Sequence, residues 1–221
     1  MKIGKTKIEF NTFFKKRTPK IDDSYGLYLI TGKQGSGKSY YAVKLAAANL
    51  VKVKMIKTNI KSLTFWGTKK GISTIVRKSI FNIPIIYFSK ISEIYYDEDE
   101  YCMYIIDEIS RKYKKDSPCD MHFYAFLNQC RKTHRMCILI TQEYKELPMW
   151  LRRPVKYQLN TVPTTLLWKF GIFTTYVGDG ENPTLDKETM EWECPILYKI
   201  ISKRNMEIAN MYDTFEPISE L

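Results

Sequence analysis

Gly32-Lys33-Gln34-Gly35-Ser36-Gly37-Lys38-Ser39 fits the pattern G-x-x-x-x-G-K-S/T in full, and each part of that pattern suits a polyphosphate. Gly35 and Gly37 let the backbone turn so that successive N–H groups face an anion, and the positive end of a following helix adds attraction. In such a loop Lys38 reaches the β- and γ-phosphates as a point charge, and the Ser39 hydroxyl ligates Mg2+. Tyr40 is taken with residues 32–39 as a candidate nucleotide contact, although it and Thr31 read mainly as packing beside the loop.

A second group, Met103-Tyr104-Ile105-Ile106-Asp107-Glu108, is an apolar run that ends in two acids. On a buried strand it delivers an acid to the carboxyl edge of a sheet, where open α/β sheets bind ligands. Asp107 is the expected Mg2+ contact, made through the ion's water shell. Glu108, one residue on, is the expected general base that polarises the attacking water. Ile138-Leu139-Ile140-Thr141-Gln142 repeats the plan with a neutral tip, and Gln142 can hydrogen-bond both that water and the γ-phosphate. Between them, Arg131-Lys132-Thr133-His134-Arg135 offers guanidinium groups that at a subunit boundary could neutralise a neighbour's γ-phosphate. Arg131 and Arg135 rank level for that role, with contact to a phosphate backbone as the competing use.

The elements that must position these groups follow from periodicity. Tyr25 to Thr31 reads as a buried strand entering a glycine turn, and Tyr40 to Leu50, rich in Ala and Leu without Gly or Pro, as the helix after it. Val51 to Asn59 alternates apolar and basic residues and reads as a second strand with Thr58-Asn59 at its carboxyl end. Pro84 to Phe88, Tyr101 to Ile106 and Met136 to Thr141 read as further strands. Phe123 to Arg131 has helical spacing, with Phe123, Phe126, Leu127 and Cys130 on one face. Strands alternating with helices imply an α/β fold of the P-loop NTPase type, a mainly parallel sheet with helices on both faces. Beyond Pro154 the composition turns to Thr, Tyr, Phe and Gly, and a strand-rich extension returning to the sheet edge is expected. The reading is a basic arm over residues 1–24 and one ATPase domain over 25–221, with its motif core at 25–154 and the extension at 155–221.

Composition narrows the class. The 221 residues, 44% hydrophobic, can bury one substantial core. No signal-peptide core follows the basic N-terminus, and the most apolar late stretch, Thr161 to Val177, is broken by Pro163, Lys169 and Gly171. A soluble, cytoplasmic protein is expected. Five cysteines without a CxxC pair suit neither a disulfide framework nor zinc, and the histidines, His122 and His134, are too few for a metal cluster. The formal net charge of +11 attracts polyanions. Lys52, Lys54, Lys57, Lys69, Lys70, Arg77 and Lys78 form one candidate nucleic-acid surface. Arg111, Lys112, Lys114 and Lys115, just after the acidic pair, form the better one.

With these residues in place, the chain resembles the zonula-occludens-toxin-like ATPases, which include the filamentous-phage assembly ATPase, within the FtsK/HerA superfamily. The resemblance rests on Ile30 to Ser39, Thr58-Asn59-Ile60, Ile105-Ile106-Asp107-Glu108, Arg131-x-x-His134-Arg135 and Ile140-Thr141-Gln142, and covers about Tyr25 to Pro154. It implies ATP with Mg2+ as ligands, a homo-oligomeric ring, and double-stranded DNA gripped without sequence preference. Filamentous-phage members continue into a membrane span, and this sequence ends at Leu221 without one. In plan it is closer to compact viral genome-packaging ATPases, so the expected function is ATP-driven DNA translocation at a capsid vertex. An assembly or export ATPase working at the inner membrane through a membrane-embedded partner is the alternative, and a nucleotide-switched adaptor without sustained turnover is a third.

Overall fold

Strands buried on both faces make up the centre of this fold. The computed structural model describes residues 6–8, 25–63, 83–163, 171–187 and 191–211. Among them nine strands form one sheet: β1 (Thr6–Ile8), β2 (Gly26–Thr31), β3 (Met55–Thr58), β4 (Ile85–Tyr87), β5 (Cys102–Ile106), β6 (Met136–Ile140), β7 (Val155–Pro163), β8 (Ile172–Asp179) and β11 (Ile196–Lys203). β9 (Thr184–Asp186) and β10 (Glu191–Glu193) pair separately as an antiparallel ribbon. The sheet order is β1-β11-β8-β7-β2-β6-β5-β3-β4. From β7 through β2, β6, β5 and β3 to β4 every pairing is parallel, whereas β8 is antiparallel to both β7 and β11.

Every residue of β2, β5 and β6 is buried, which explains why these strands read as continuous apolar runs rather than alternating ones. Alternate side chains still separate into two cores. Tyr28, Ile30, Ile105, Ile138 and Ile140 join one core with Ala42, Leu45 and Ala46 of helix α1 (Lys38–Asn49). Leu27, Leu29, Tyr104, Ile106 and Leu139 join the other with Phe123, Phe126 and Leu127 of α2 (Met121–Gln129). The alanines at 42 and 46, one helical turn apart and fully buried, let α1 lie close against the sheet. Asp120 starts α2 by accepting a hydrogen bond from the Phe123 N–H at 3.1 Å. Two further helices are single turns, α3 (Met149–Arg152) and α4 (Met206–Ala209). Among the described residues no helix is long and apolar enough to cross a membrane.

Two sequence expectations need correction. The alternating run from Val51 to Asn59 yields only the four-residue β3, because Leu50–Lys52 forms a 3-10 turn closed by the Val53 N–H on the Leu50 carbonyl at 3.3 Å. Leu50 and Val53 are both buried by that turn, and their burial outweighs the period-two pattern. The C-terminal extension does not stop at the sheet edge either. Its first strand, β7, pairs directly with the phosphate-loop strand β2, which puts the extension next to the site. Lys69, Lys70, Arg77 and Lys78, and all of the N-terminal arm except β1, lie outside the described residues.

Candidate functional site

The carboxyl ends of β2, β5, β6 and β3 converge, and so do the residues they carry. At the end of β2 the chain passes into the glycine loop with Gly32 at φ 146° and Gly37 at φ 91°. A Cβ on Gly32 would collide with the Thr161 carbonyl and the Ser36 hydroxyl, so only glycine fits. Gly37 is the left-handed residue that opens α1, and its open face lies against the Phe173 ring. The Gly32 N–H donates to the Gln142 carbonyl at 2.9 Å, tying the loop to the end of β6.

The loop has a second brace from β7. The Ser36 and Thr161 hydroxyls lie 2.9 Å apart, and Thr161 Oγ1 donates to the Thr31 carbonyl at 3.0 Å. Sequence reading missed Thr161 and Phe173 because both belong to the extension. The Tyr40 side chain is turned away into packing, which leaves its backbone for any nucleotide contact. Its buried ring packs edge-on to Phe173, and its hydroxyl donates to the Lys203 carbonyl at 3.4 Å and accepts from the Asn205 N–H at 2.8 Å.

The two predicted metal contacts meet. Ser39 Oγ donates to Asp107 Oδ2 at 3.4 Å, joining the first turn of α1 to the end of β5. Burial pushes the Asp107 carboxyl up to about 6, and the neighbouring Glu108 carboxylate adds to this. The Glu108 N–H, Lys38 and Ser39 act in the opposite direction. Lys38 donates to the Lys33 carbonyl at 3.1 Å. Burial lowers the pKa of its ammonium, and the charges of Asp107 and Glu108 pull it back up. Hard oxygen donors on a carboxylate and a hydroxyl, with a lysine alongside, fit a magnesium-nucleotide pair better than a soft metal.

Asn59 has a role its spacing did not suggest. It is buried, its Nδ2 donates to the Asp107 carbonyl at 3.0 Å, and its Oδ1 accepts the Asp107 N–H at 2.8 Å. Both sides of the Asp107 residue are thus held by one side chain, from the residue that follows β3. Glu108 follows in the left-handed region at φ 52°, ψ 44°, and its carboxylate pairs with Arg111 Nε. Gln142 is exposed at the same edge. It helps line a cleft of about 550 Å3 beside the loop, together with Gly32, Lys33, Asn160 and Tyr176.

The arginines separate sharply. Both lie at the amino end of β2, where the Gly26 N–H meets the Arg135 carbonyl. That is about five strand residues, roughly 16 Å, from the phosphate loop. Arg135 is a correction as a finger candidate. It is 2% exposed, its Nε donates to the Asp99 carbonyl at 2.7 Å, a terminal nitrogen donates to the Asp97 carbonyl, and its guanidinium covers the Phe126 ring. Arg131 is exposed and pairs with Glu181. Lys57 is likewise removed from the nucleic-acid surface, being held by Asp97 and Asp99.

A strand, a glycine loop, a helix, and an acid on a parallel strand one place removed from the loop strand define the P-loop NTPase fold. The chain belongs to the Zonular occludens toxin (Zot) family, whose model matches residues 26–176. The N-terminal domain of zonular occludens toxin from Neisseria meningitidis is similar in structure, with 18% identity over 86% of this chain and 100% of that one and a TM-score of 0.56. The genome packaging NTPase B204 from Sulfolobus turreted icosahedral virus 2, in complex with ATP-gammaS, aligns at 16% identity over 80% of this chain and 100% of that one, with a TM-score of 0.48. The flagellar accessory protein FlaH from Methanocaldococcus jannaschii aligns at 15% identity over 76% and 89%, with a TM-score of 0.44. No curated protein matches the sequence.

Proposed function

We propose that this chain hydrolyses ATP and uses the cycle to move double-stranded DNA through a ring of identical subunits, as a viral packaging motor does. The observation that carries the reading is the contact between Ser39 Oγ and Asp107 Oδ2 at 3.4 Å, because it joins a complete phosphate loop to an acid at the end of β5, one strand removed from the loop strand. Ser39 and Asp107 are the residues that would hold Mg2+. When bound, the ion supplies charge neutralisation at the β- and γ-phosphate oxygens.

The loop N–H groups and Lys38 bind and orient the triphosphate. Asn59 fixes the Asp107 backbone so that its carboxylate stays beside Ser39. Glu108 accepts the proton of the attacking water, and Gln142 orients that water from the end of β6. Arg131, exposed and distant from its own loop, is the residue proposed to reach a neighbouring subunit's γ-phosphate. The net charge of +11 and the exposed Lys114 and Lys115 after the acidic pair support DNA as the polymer. On this reading the protein works in the cytoplasm, docked on a capsid vertex or a membrane-embedded partner.

ATP hydrolysis measured with and without linear double-stranded DNA, across salt concentrations, tests the proposal. Stimulation that fades with salt is expected. Turnover indifferent to DNA at every salt concentration would keep the ATPase and remove the translocase. The Zot-family match favours one second reading, an assembly or export ATPase that acts at the inner membrane through a partner. Co-sedimentation with inner-membrane vesicles that carry such a partner, independent of DNA, would decide for it.

A further inference from the structure

The geometry points to Arg111 as a latch on Glu108, released when the phosphate backbone of nucleic acid takes the guanidinium away. This rests on the ATPase reading above, and it names how that site is regulated. Glu108 carries a Cβ in the left-handed region, a conformation that needs its surroundings to hold it. Three contacts do so. The Glu108 N–H donates to Asp107 Oδ1 at 2.9 Å, the Arg111 N–H donates to the Glu108 carbonyl at 2.9 Å, and Ile109 is fully buried as the anchor of the 3-10 turn Ile109–Arg111. The same turn folds Arg111 back so that its Nε meets Glu108 Oε2.

A carboxylate oxygen engaged by a guanidinium N–H has a lone pair already occupied and cannot offer it to a water molecule. Glu108 is close enough to the phosphate-binding ammonium for its charge to act on Lys38, so the pairing occurs at the reaction site and not at a remote surface. The side chain of Arg111 is 55% exposed and that of Glu108 29%. An ion pair this open is weak and can exchange partners with a polyanion. Phosphate suits the exchange, because a guanidinium matches its geometry with two parallel donors. Lys114 and Lys115 follow on the same segment and line a surface hollow with Lys145, Asp116 and Glu146. Ser110, next to Arg111 in the chain, lines the same hollow, so DNA lying along it would come beside Arg111 and free Glu108 on engagement.

The test is steady-state MgATP hydrolysis by the full chain, with and without linear double-stranded DNA, for the parent, Arg111→Gln and Arg111→Lys, with Glu108→Gln as the base-less control. Arg111→Gln should raise the DNA-free rate on the order of fivefold, the factor an open ion pair can hold back, and should lose most of the DNA stimulation. Arg111→Lys should restore both toward parental behaviour, and the affinity for a non-hydrolysable ATP analogue should be the same in all three. A DNA-free rate in Arg111→Gln equal to or below the parent's, with DNA stimulation retained, overturns the latch and leaves the ATPase reading standing. Equal phosphate release by the parent and Glu108→Gln, with or without DNA, removes Glu108 as the base and overturns the latch, whereas no phosphate release by the parent under any condition overturns the ATPase reading itself.

Discussion

At the scale of single residues, the proposed mechanism separates binding charge from proton transfer. Lys38→Ala removes the ammonium proposed to meet the triphosphate and should abolish nucleotide binding, whereas Glu108→Gln should bind MgATP normally and stop hydrolysis. Isothermal titration and phosphate release distinguish the two, and equal turnover by Glu108→Gln and the parent would remove Glu108 from the mechanism. Asn59 acts one step back, through Asp107. Asn59→Ala leaves a buried N–H and C=O unpaired, at a cost of about 1–3 kcal/mol in stability. It also frees the Asp107 carboxylate to wander, so the Mg2+ concentration for half-maximal turnover should rise roughly 10- to 100-fold. Parental Mg2+ dependence in a destabilised Asn59→Ala protein would confine Asn59 to a folding role. Residue type alone could not have separated Arg131 from Arg135. They sit four positions apart in one basic turn, and only the Phe126 ring and the carbonyls of Asp97 and Asp99, brought in by the fold, turn one of them into a core residue.

Elements differ in how far the chain's own pattern announces them. β2, β5 and β6 were legible because a parallel strand buried on both faces must be apolar throughout, and the glycine loop because only glycine tolerates φ near 146° against Thr161. β7 was not, since Gln158, Asn160 and Thr161 are polar for a reason visible only in three dimensions: they line the cleft beside the loop. Asn59 was seen only as part of a motif, because its partner is 48 residues away in sequence. Helix α2 shows the opposite case, where a local signal carries energy that can be measured. Asp120 caps it and also accepts hydrogen bonds from the Tyr95 and Tyr113 hydroxyls, the latter at 2.6 Å. Partial burial alone would raise the Asp120 pKa, but the two hydroxyls and the Phe123 N–H outweigh it and hold the carboxyl below its ordinary value. Asp120→Ala should therefore lose about 1–3 kcal/mol by denaturant unfolding at neutral pH. A group with a depressed folded pKa stabilises fully above its unfolded value and loses that effect as pH falls through the folded one. The gap between parent and Asp120→Ala should thus close below about pH 4. A gap independent of pH would show that the lost side chain mattered for packing and not for its charge.

Across the whole molecule, the phosphate loop and the best basic segment share the carboxyl edge of the sheet, an arrangement that on the proposed reading connects hydrolysis to polymer contact. The sequence reading grouped Arg111 with Lys112, Lys114 and Lys115 as phosphate contacts. The structure separates them, because Arg111 pairs with Glu108 while Lys114 and Lys115 are exposed and Lys112 lies over the Tyr113 ring. Replacing all four together would mix an effect on the base with an effect on DNA, so the three lysines should be replaced without the arginine. Lys112, Lys114 and Lys115 are proposed to meet phosphates and not base edges, which makes their contribution electrostatic and insensitive to sequence. Each lost contact should reduce the slope of log affinity against log salt by about one. The triple alanine variant should then bind a random-sequence duplex more weakly at low salt, with a slope shallower by up to about three, and should converge with the parent as salt rises. Its affinity for MgATP is the control, since the three lysines lie outside the phosphate loop of residues 32–39. A parallel shift of the two salt plots, with unchanged slope, would mean that the lysines act through the shape of the loop and not through phosphate contacts. Coincident plots would assign the DNA grip to another surface and leave these lysines as a solvated face.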